Sequence, residues 1–300
     1  MNANGQFVVV WRSGQNVGND VYAKVYNRFG QVVRDEFLVN SGFATDNQAQ
    51  ASVAIDAAGN FVVVWQSNNQ DGGGLGIYGQ RYSASGVAQG GMFQVNVTTV
   101  GSQDRPRVDM DDAGDFVVMW RDGGQDGSGV GVYSRRYNSA GVALDAADVR
   151  ANTTTLGNQT DPSVALNATG AYIVSWTGAG QDGSGTGIYA QRFDAAGVKL
   201  GGEIQVNQTT TDNQQLSVVS SDAFGDFVVA WESNLQDGAG LGVYYRRFSS
   251  NGAALNNETL VNTTTAGDQK SVSITLNGDG DMVAAWQGPD AARSEEHTSE

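Results

Sequence analysis

The sequence predicts an all-β chain built from repeated four-stranded units, and three observations carry that reading. A tryptophan recurs at 11, 65, 120, 176, 231 and 286, at spacings of 54 to 56 residues. A tyrosine keeps the same period at 22, 78, 133, 189 and 244, as does a glutamine at 48, 103, 159, 214 and 269. Between the markers the apolar runs are short, rich in β-branched and aromatic residues, and bounded by Gly, Asn or Asp, with no sustained helical period. Self-similarity at a fixed period is the signature of a repeat architecture.

Each element follows from its residues. Residues 51–55 (ASVAI) are expected as a first strand, and DAAGN as a turn with Gly59 at positive φ. Residues 61–65 (FVVVW) form the second strand. Phe61, Val63 and Trp65 point one way and Val62 and Val64 the other, so both faces are apolar and both are expected to be buried. A long loop, QSNNQDGGGLG, leads to a third strand at 77–82 (IYGQRY), and a Gly-containing connection to a fourth at 92–96 (MFQVN). The Thr-rich stretch 96–103 crosses to the next unit. A four-stranded antiparallel unit held between copies of itself is a propeller blade. Residues 1–288 are therefore expected to be a β-propeller arc of about five 55-residue repeats, the first and last incomplete.

Both ends are expected to be truncated. NANGQFVVVW at the start matches the interior DAAGNFVVVW, which places the beginning inside a repeat. The tail 293–300, RSEEHTSE, is what AGATCGGAAGAGCACACGTCTGAA encodes, a common sequencing-library adapter. It is read as adapter-derived and not as a domain, and it holds the single histidine, His297. Composition sets further bounds. With no Cys there is no disulfide framework and no Cys-ligated metal. A net charge of −15 argues against nucleic acid as a partner, and no apolar run nears the roughly 20 residues of a membrane span.

The stretches GDFVVAWESNLQDGAGLGVYYRRFSSNGAAL and GIYAQRFDAAGVKLGGEIQVNQTTTDNQ resemble repeats of very large secreted bacterial surface proteins, which also tend to carry hemolysin-type calcium-binding or cadherin-like modules. The resemblance runs to about Trp286. It implies an extracellular or cell-surface setting, an adhesin-like role and a β-propeller. One departure is clear. The calcium nonapeptide Gly-Gly-x-Gly-x-Asp is absent, because Tyr78 stands where the motif needs Asp.

In an up-and-down unit the Gln-Asp-Gly loop and the crossing share one end, where a ligand or partner surface is expected. The loop aspartates Asp71, Asp126, Asp182 and Asp237 are candidate calcium ligands, with Gln15 and Asn16 in their place in the first unit. Calcium needs six to eight oxygens, and each loop offers one consistent carboxylate, so an Asx-type turn is the competing reading. Arg81, Arg136, Arg192 and Arg247, with Val25 in the first unit, read as blade-stitching arginines. Asn152 and Asn262 match the N-glycosylation pattern as a by-product of the repeat. Glu232, Asp122, Asp145, Asp148 and Glu203 read as acids outside the repeat, none recognisably paired. With no Cys, and a lone His in the tail, no nucleophile–base pair is evident. The expectation is a non-catalytic extracellular scaffold, calcium as its one candidate cofactor, whose partners are surface glycans or other extracellular proteins. The alternative is a carbohydrate-binding or carbohydrate-hydrolysing propeller.

Overall fold

A computed structural model describes residues 1–14, 18–42, 47–289 and, for the backbone alone, 294–299. Among the described residues there is no helix, and twenty-two strands form six antiparallel sheets. The chain divides into two compact units.

Unit 1 comprises Met1–Gly127 and Gly131–Arg150. Its sheet A is β1 (Phe7–Ser13), β2 (Asp20–Tyr26) and β3 (Val32–Leu38). Sheet B is β4 (Gln48–Ile55), β5 (Phe61–Asn68), β6 (Leu75–Tyr82) and β7 (Ala88–Gln94). Sheet C is β8 (Gln103–Met110), β9 (Phe116–Gly123), β10 (Val130–Tyr137) and β11 (Val149–Arg150). Unit 2 comprises Ser128–Val130 and Ala151–Glu300. It carries sheet D, of β12 (Gln159–Leu166), β13 (Tyr172–Ala179), β14 (Thr186–Phe193) and β15 (Lys199–Gln205). Sheet E is β16 (Gln214–Ser221), β17 (Phe227–Asn234), β18 (Leu241–Phe248) and β19 (Thr259–Leu260). Sheet F is β20 (Lys270–Leu276), β21 (Met282–Gln287) and β22 (Ser294–Ser299), the last lying in the tail read above as adapter-encoded.

The doubly apolar second strand behaves as its pattern demands. Phe61, Val63 and Trp65 pack with Val21, Ala23 and Val25 of sheet A, while Val62 and Val64 pack with Phe116, Val118 and Trp120 of sheet C. Sheet E repeats this in unit 2, with Phe227, Val229 and Trp231 against sheet D and Val228 and Ala230 against sheet F. Trp65, Trp120, Trp176 and Trp231 are fully buried, which assigns them to the core and not to sugar stacking. First strands of successive sheets also bond directly. The Val108 amide donates to Ser52 Oγ, Val219 to Ser163 Oγ and Leu276 to Ser220 Oγ, at 3.3, 3.2 and 2.9 Å.

The fourth strand differs between sheets for a local reason. Sheets B and D place Gly-Gly after the turn, and the ladder runs for seven residues with Gly90 and Gly201 at φ 73°. In sheets C and E, Asp145 and Asn256 stand nearby and accept the Arg136 and Arg247 amides at 2.8 and 2.6 Å. A side chain replaces the ladder there, and β11 and β19 shrink to two residues.

Candidate functional site

The loop after the second strand and the crossing after the fourth meet through one buried network. Asn96 accepts the Ile77 amide on Oδ1 at 2.7 Å and donates to the Thr98 carbonyl and Gln103 Oε1 at 2.8 and 3.2 Å. Gln103, wholly buried, returns to the Val100 carbonyl at 3.1 Å. Asn207 with Gln214 and Asn262 with Gln269 repeat the arrangement. The periodic glutamine is thus a crossing clamp. Asn152 and Asn262 are buried inside such clamps, which removes them as glycan acceptors in the folded chain.

Three of the four candidate metal ligands, Asp71, Asp182 and Asp237, sit in the same network, and Asp126 lies against Gly131 at the matching place of sheet C. Asp71 accepts the Gly73 amide on Oδ1 at 3.0 Å and faces the Asn96 amide from Oδ2 at 3.3 Å. Asp182 and Asp237 do the same with Ser184 and Asn207, and with Ala239 and Asn262. These partners are N–H donors, the arrangement of an Asx-type turn. Among the described residues no group of three or more His, Cys, Asp or Glu is gathered to hold a metal ion. A Cβ on Gly76 would stand 2.4 Å from Asp71 Oδ2, and one on Gly187 2.6 Å from Asp182 Oδ2, so the later loop glycine serves close approach. Burial, with the loop aspartate's charge beside it, pushes the Tyr78 and Tyr244 phenols up to about 12. Gln15 and Asn16 lie outside the described residues.

Asp148 and Glu203, taken from the sequence as acids outside the repeat, are part of it. Together with Glu258 they stand four residues before the crossing asparagine, and each grips the crossing of the preceding sheet. Asp148 accepts the Val97 and Thr98 amides, both at 2.9 Å. Glu203 accepts the Thr153 and Thr154 amides, Thr154 Oγ1 and, at 2.7 Å, the loop amide of Gln181. Glu258 holds Gln208, Thr209 and Gln236 likewise. In sheet B the position is Met92, and the Gln70 side-chain amide is left buried with no protein partner. Glu203→Met copies sheet B and is expected to lower stability by about 2 kcal/mol, since several partly buried donors lose a charged acceptor. A urea midpoint reads it, and an unchanged midpoint would contradict the clamp.

Asp122 breaks the repeat where Ser67 and Ser233 stand. It is buried, accepts Gln103 Nε2 and the Gln125 amide at 3.1 and 3.2 Å, and burial pushes its carboxyl up to about 6. A folded-state value above the ordinary 3.8 means that folding favours the protonated form. That contribution is complete below about 4 and is lost as pH rises through about 6. Asp122→Ser is therefore expected to raise Tm at pH 7.5 by a few degrees, with the gain gone by about pH 4. Thermal melts across this range give the answer, and a pH-independent difference would refute it.

The third-strand arginines stitch neighbours, but mostly through carbonyls. Arg81 donates to the Ser139 and Ala140 carbonyls of the adjoining turn, Arg192 to Asn251, and Arg247 to Gly280 at 2.9 Å. Only Arg136 pairs with an acid, Asp145, at 2.6 Å. Where the first unit has Val25, Arg34 of β3 supplies the contact, donating to the Gly86 carbonyl at 2.8 Å.

One set of positions varies in every sheet while this frame stays constant. The first strand carries a bulge just after the buried glutamine, and the bulged residue is non-glycine at positive φ each time: Gln50, Arg105, Asp161, Leu216 and Ser271, at 52° to 58°. Such residues cost of order 1–3 kcal/mol each and gather at functional sites. Beside each lies a cross-strand pair joining the residue after the glutamine to the residue after the tryptophan. The pair is Ala49 with Gln66 in sheet B, Asp104 with Arg121 in C and Thr160 with Thr177 in D. In E it is Gln215 with Glu232, and in F Lys270 with Gln287. Neighbouring triplets are joined, the Arg105 amide donating to Gln66 Oε1 at 3.1 Å and the Leu216 amide to Thr177 Oγ1 at 3.2 Å. In each unit they form a continuous rim at the loop-rich end. Glu232 proves to be a joint and not an open acid. It is 1 % exposed, and its carboxylate accepts the Ser271 amide at 2.6 Å and Gln215 Nε2 at 3.4 Å. Asp161 is half-buried, with Oδ2 accepting Thr160 Oγ1 at 3.1 Å.

No protein-family model matches the sequence, and no curated protein matches it. Solved structures do. The chain is similar to an ulvan lyase, a polysaccharide lyase solved with a unit of GlcA and sulfated Rha, at 14% identity and TM-score 0.62, over 100% of this chain and 79% of that one. It is similar to an α-L-arabinofuranosidase of Fusarium graminearum at 10% identity and TM-score 0.56, over 83% and 80%. It is also similar to the fucose-specific lectin of Aleuria aurantia at 9% identity and TM-score 0.50, over 99% and 92%. At such identities the likeness is one of fold, and it supports the β-propeller reading. It also corrects the expectation that the chain is no enzyme. That expectation rested on missing His and Cys, and two of these three matching folds belong to proteins named as a lyase and a glycosidase.

Proposed function

We propose that this chain is a β-propeller that binds and cleaves polysaccharide, each sheet serving as one blade. The observation that carries the reading is the rim. The Trp and the buried Gln recur in all five sheets that contain the strained triplet, while the triplet itself differs in each. A scaffold of identical modules gains nothing from such divergence, whereas a recognition surface consists of it. The names of the similar folds, a polysaccharide lyase, an arabinofuranosidase and a fucose lectin, support a glycan as the ligand. Asp161 is the candidate acid, being a half-buried carboxyl on the rim beside the Thr160 hydroxyl. The extracellular setting implied by the resemblance to bacterial surface repeats belongs to the same proposal. The test is incubation with a panel of neutral and acidic polysaccharides, measuring both retention and new chain ends. At least one polymer is expected to be retained and shortened. Retention of none overturns the reading.

A further inference from the structure

We infer that unit 1 holds a binding site for the carboxylate of an acidic sugar, where the crossing from sheet A to sheet B meets the Gln70 loop. The donors that define the site are read from this chain alone. Taking their partner to be a sugar acid rests on the glycan reading above and names its substrate class.

The acid clamp supplies the comparison. Four residues before the crossing asparagine, sheets A, C, D and E carry Glu36, Asp148, Glu203 and Glu258, while sheet B carries Met92. In sheets D and E three nitrogens converge on that carboxylate, two successive crossing amides and the side chain of the loop glutamine. Thr153, Thr154 and Gln181 meet on Glu203, and Gln208, Thr209 and Gln236 on Glu258. In sheet C the shorter Asp148 takes the two amides, and Gln125 turns to Thr98 Oγ1 at 2.8 Å. At the crossing from A to B the same places belong to Ser41, Gly42 and Gln70. Both polar atoms of the Gln70 side chain are buried with no hydrogen-bond partner, so exchanging its oxygen and nitrogen relieves nothing. Gln94 Nε2 is buried and unpartnered as well. Register sets Gln94 beside Tyr78 and Tyr78 beside Trp65, on the face that packs against sheet A, and Met92 shares that face two residues back along β7. Among the described residues these two are the only buried side-chain amide nitrogens left without an acceptor, and both lie in sheet B.

Leaving buried donors unpaired is costly, and each such group calls for a partner. The counterparts of Gln70 in sheets D and E donate to a carboxylate, the acceptor that gives the stronger, charge-assisted bond. Met92 closes the place with a side chain suited to yielding. A Cβ on Gly42 would stand 2.6 Å from Met92 Cε, so the thioether lies against the exposed Ser41–Gly42 turn. An unbranched thioether repacks readily. The acids of sheets A and B at this end are already engaged, Asp71 by the Gly73 amide and Asp20 by the Asn40 side chain. A loop aspartate does not bar a second carboxylate. In sheet D burial, and then the charges of Asp182 and Glu203 together, push the Tyr189 phenol up.

The experiment is thermal melting of the full chain with sodium glucuronate, sodium acetate, sodium chloride or glucose, the salts at equal ionic strength. Glucuronate is expected to raise Tm by a few degrees above each of the other three, as a ligand of the folded state does. Met92→Glu places the carboxylate within the chain, as sheets D and E do. It is expected to raise Tm in buffer and to abolish the glucuronate response. Gln70→Met removes the loop donor at similar side-chain length, and carries the test if the first variant does not fold. It is expected to weaken the response about tenfold in apparent affinity, the worth of one bond to a charged group. No glucuronate effect in the wild type, or an undiminished one in the variants, overturns the site. An equal effect of acetate overturns its assignment to a sugar acid. Retention of polysaccharide without any glucuronate effect leaves the glycan reading in place. Retention of none overturns that reading and the sugar acid with it, whatever the melting curves show.

Discussion

Asp161→Asn is expected to lower polysaccharide cleavage by about 10²- to 10⁴-fold, the loss typical of removing a positioned acid or base, while binding and Tm stay near wild type. The substitution is nearly isosteric, and Asn is among the few residues that accept positive φ readily, so the backbone at 52° is kept. The Thr160 hydroxyl also retains an acceptor in the amide oxygen. What changes is the ability to lend or take a proton. Glu232→Gln is the matched control, because sheet B already uses Gln66 at that place to accept the next sheet's amide. It is expected to alter cleavage far less. End-group assays with melting curves on both variants decide the matter. Full activity in the Asp161 variant would remove this residue from the chemistry.

Trp231→Ala is expected to cost about 3–5 kcal/mol, a large share of the 5–15 kcal/mol that holds a typical domain. The indole is completely buried between sheets D and E and stacks on Tyr244 with centroids 6.3 Å apart. Removing it leaves a cavity between two packed sheets that cannot close without shifting both. Trp11 offers the contrast. It holds the same repeat position and stacks on Tyr22 at the same 6.3 Å, but it is only half-buried in sheet A. Trp11→Ala is expected to cost less than half as much. Urea midpoints of the two variants measure the difference, and equal losses would show that burial does not set the contribution.

Much of the strand pattern was legible because it rests on local chemistry. The doubly apolar FVVVW announces burial on both faces, and Gly59 at φ 90° sits in the turn predicted for it. What escaped depends on contacts between repeats. Asp148, Glu203 and Glu258 keep a 55-residue spacing, but Met92 interrupts the series and conceals it. Arg81 and its counterparts bind backbone carbonyls, partners with no trace in residue identity. The rim was the hardest part to read. Its positions differ in every copy, so in a search for sameness they register as noise. Glu232 drew notice as an acid, and only its buried bonds to Ser271 and Gln215 show a joint.

The acid clamp also has a direction. Glu203 reaches back across 50 residues to the Thr153 amide, and Glu258 across 50 to Gln208. On the ribosome a crossing therefore emerges well before the carboxylate that will hold it. At roughly 5–20 residues per second that wait is about 3–10 s. Through that interval each nascent repeat keeps one loose end, secured only when its successor has been made.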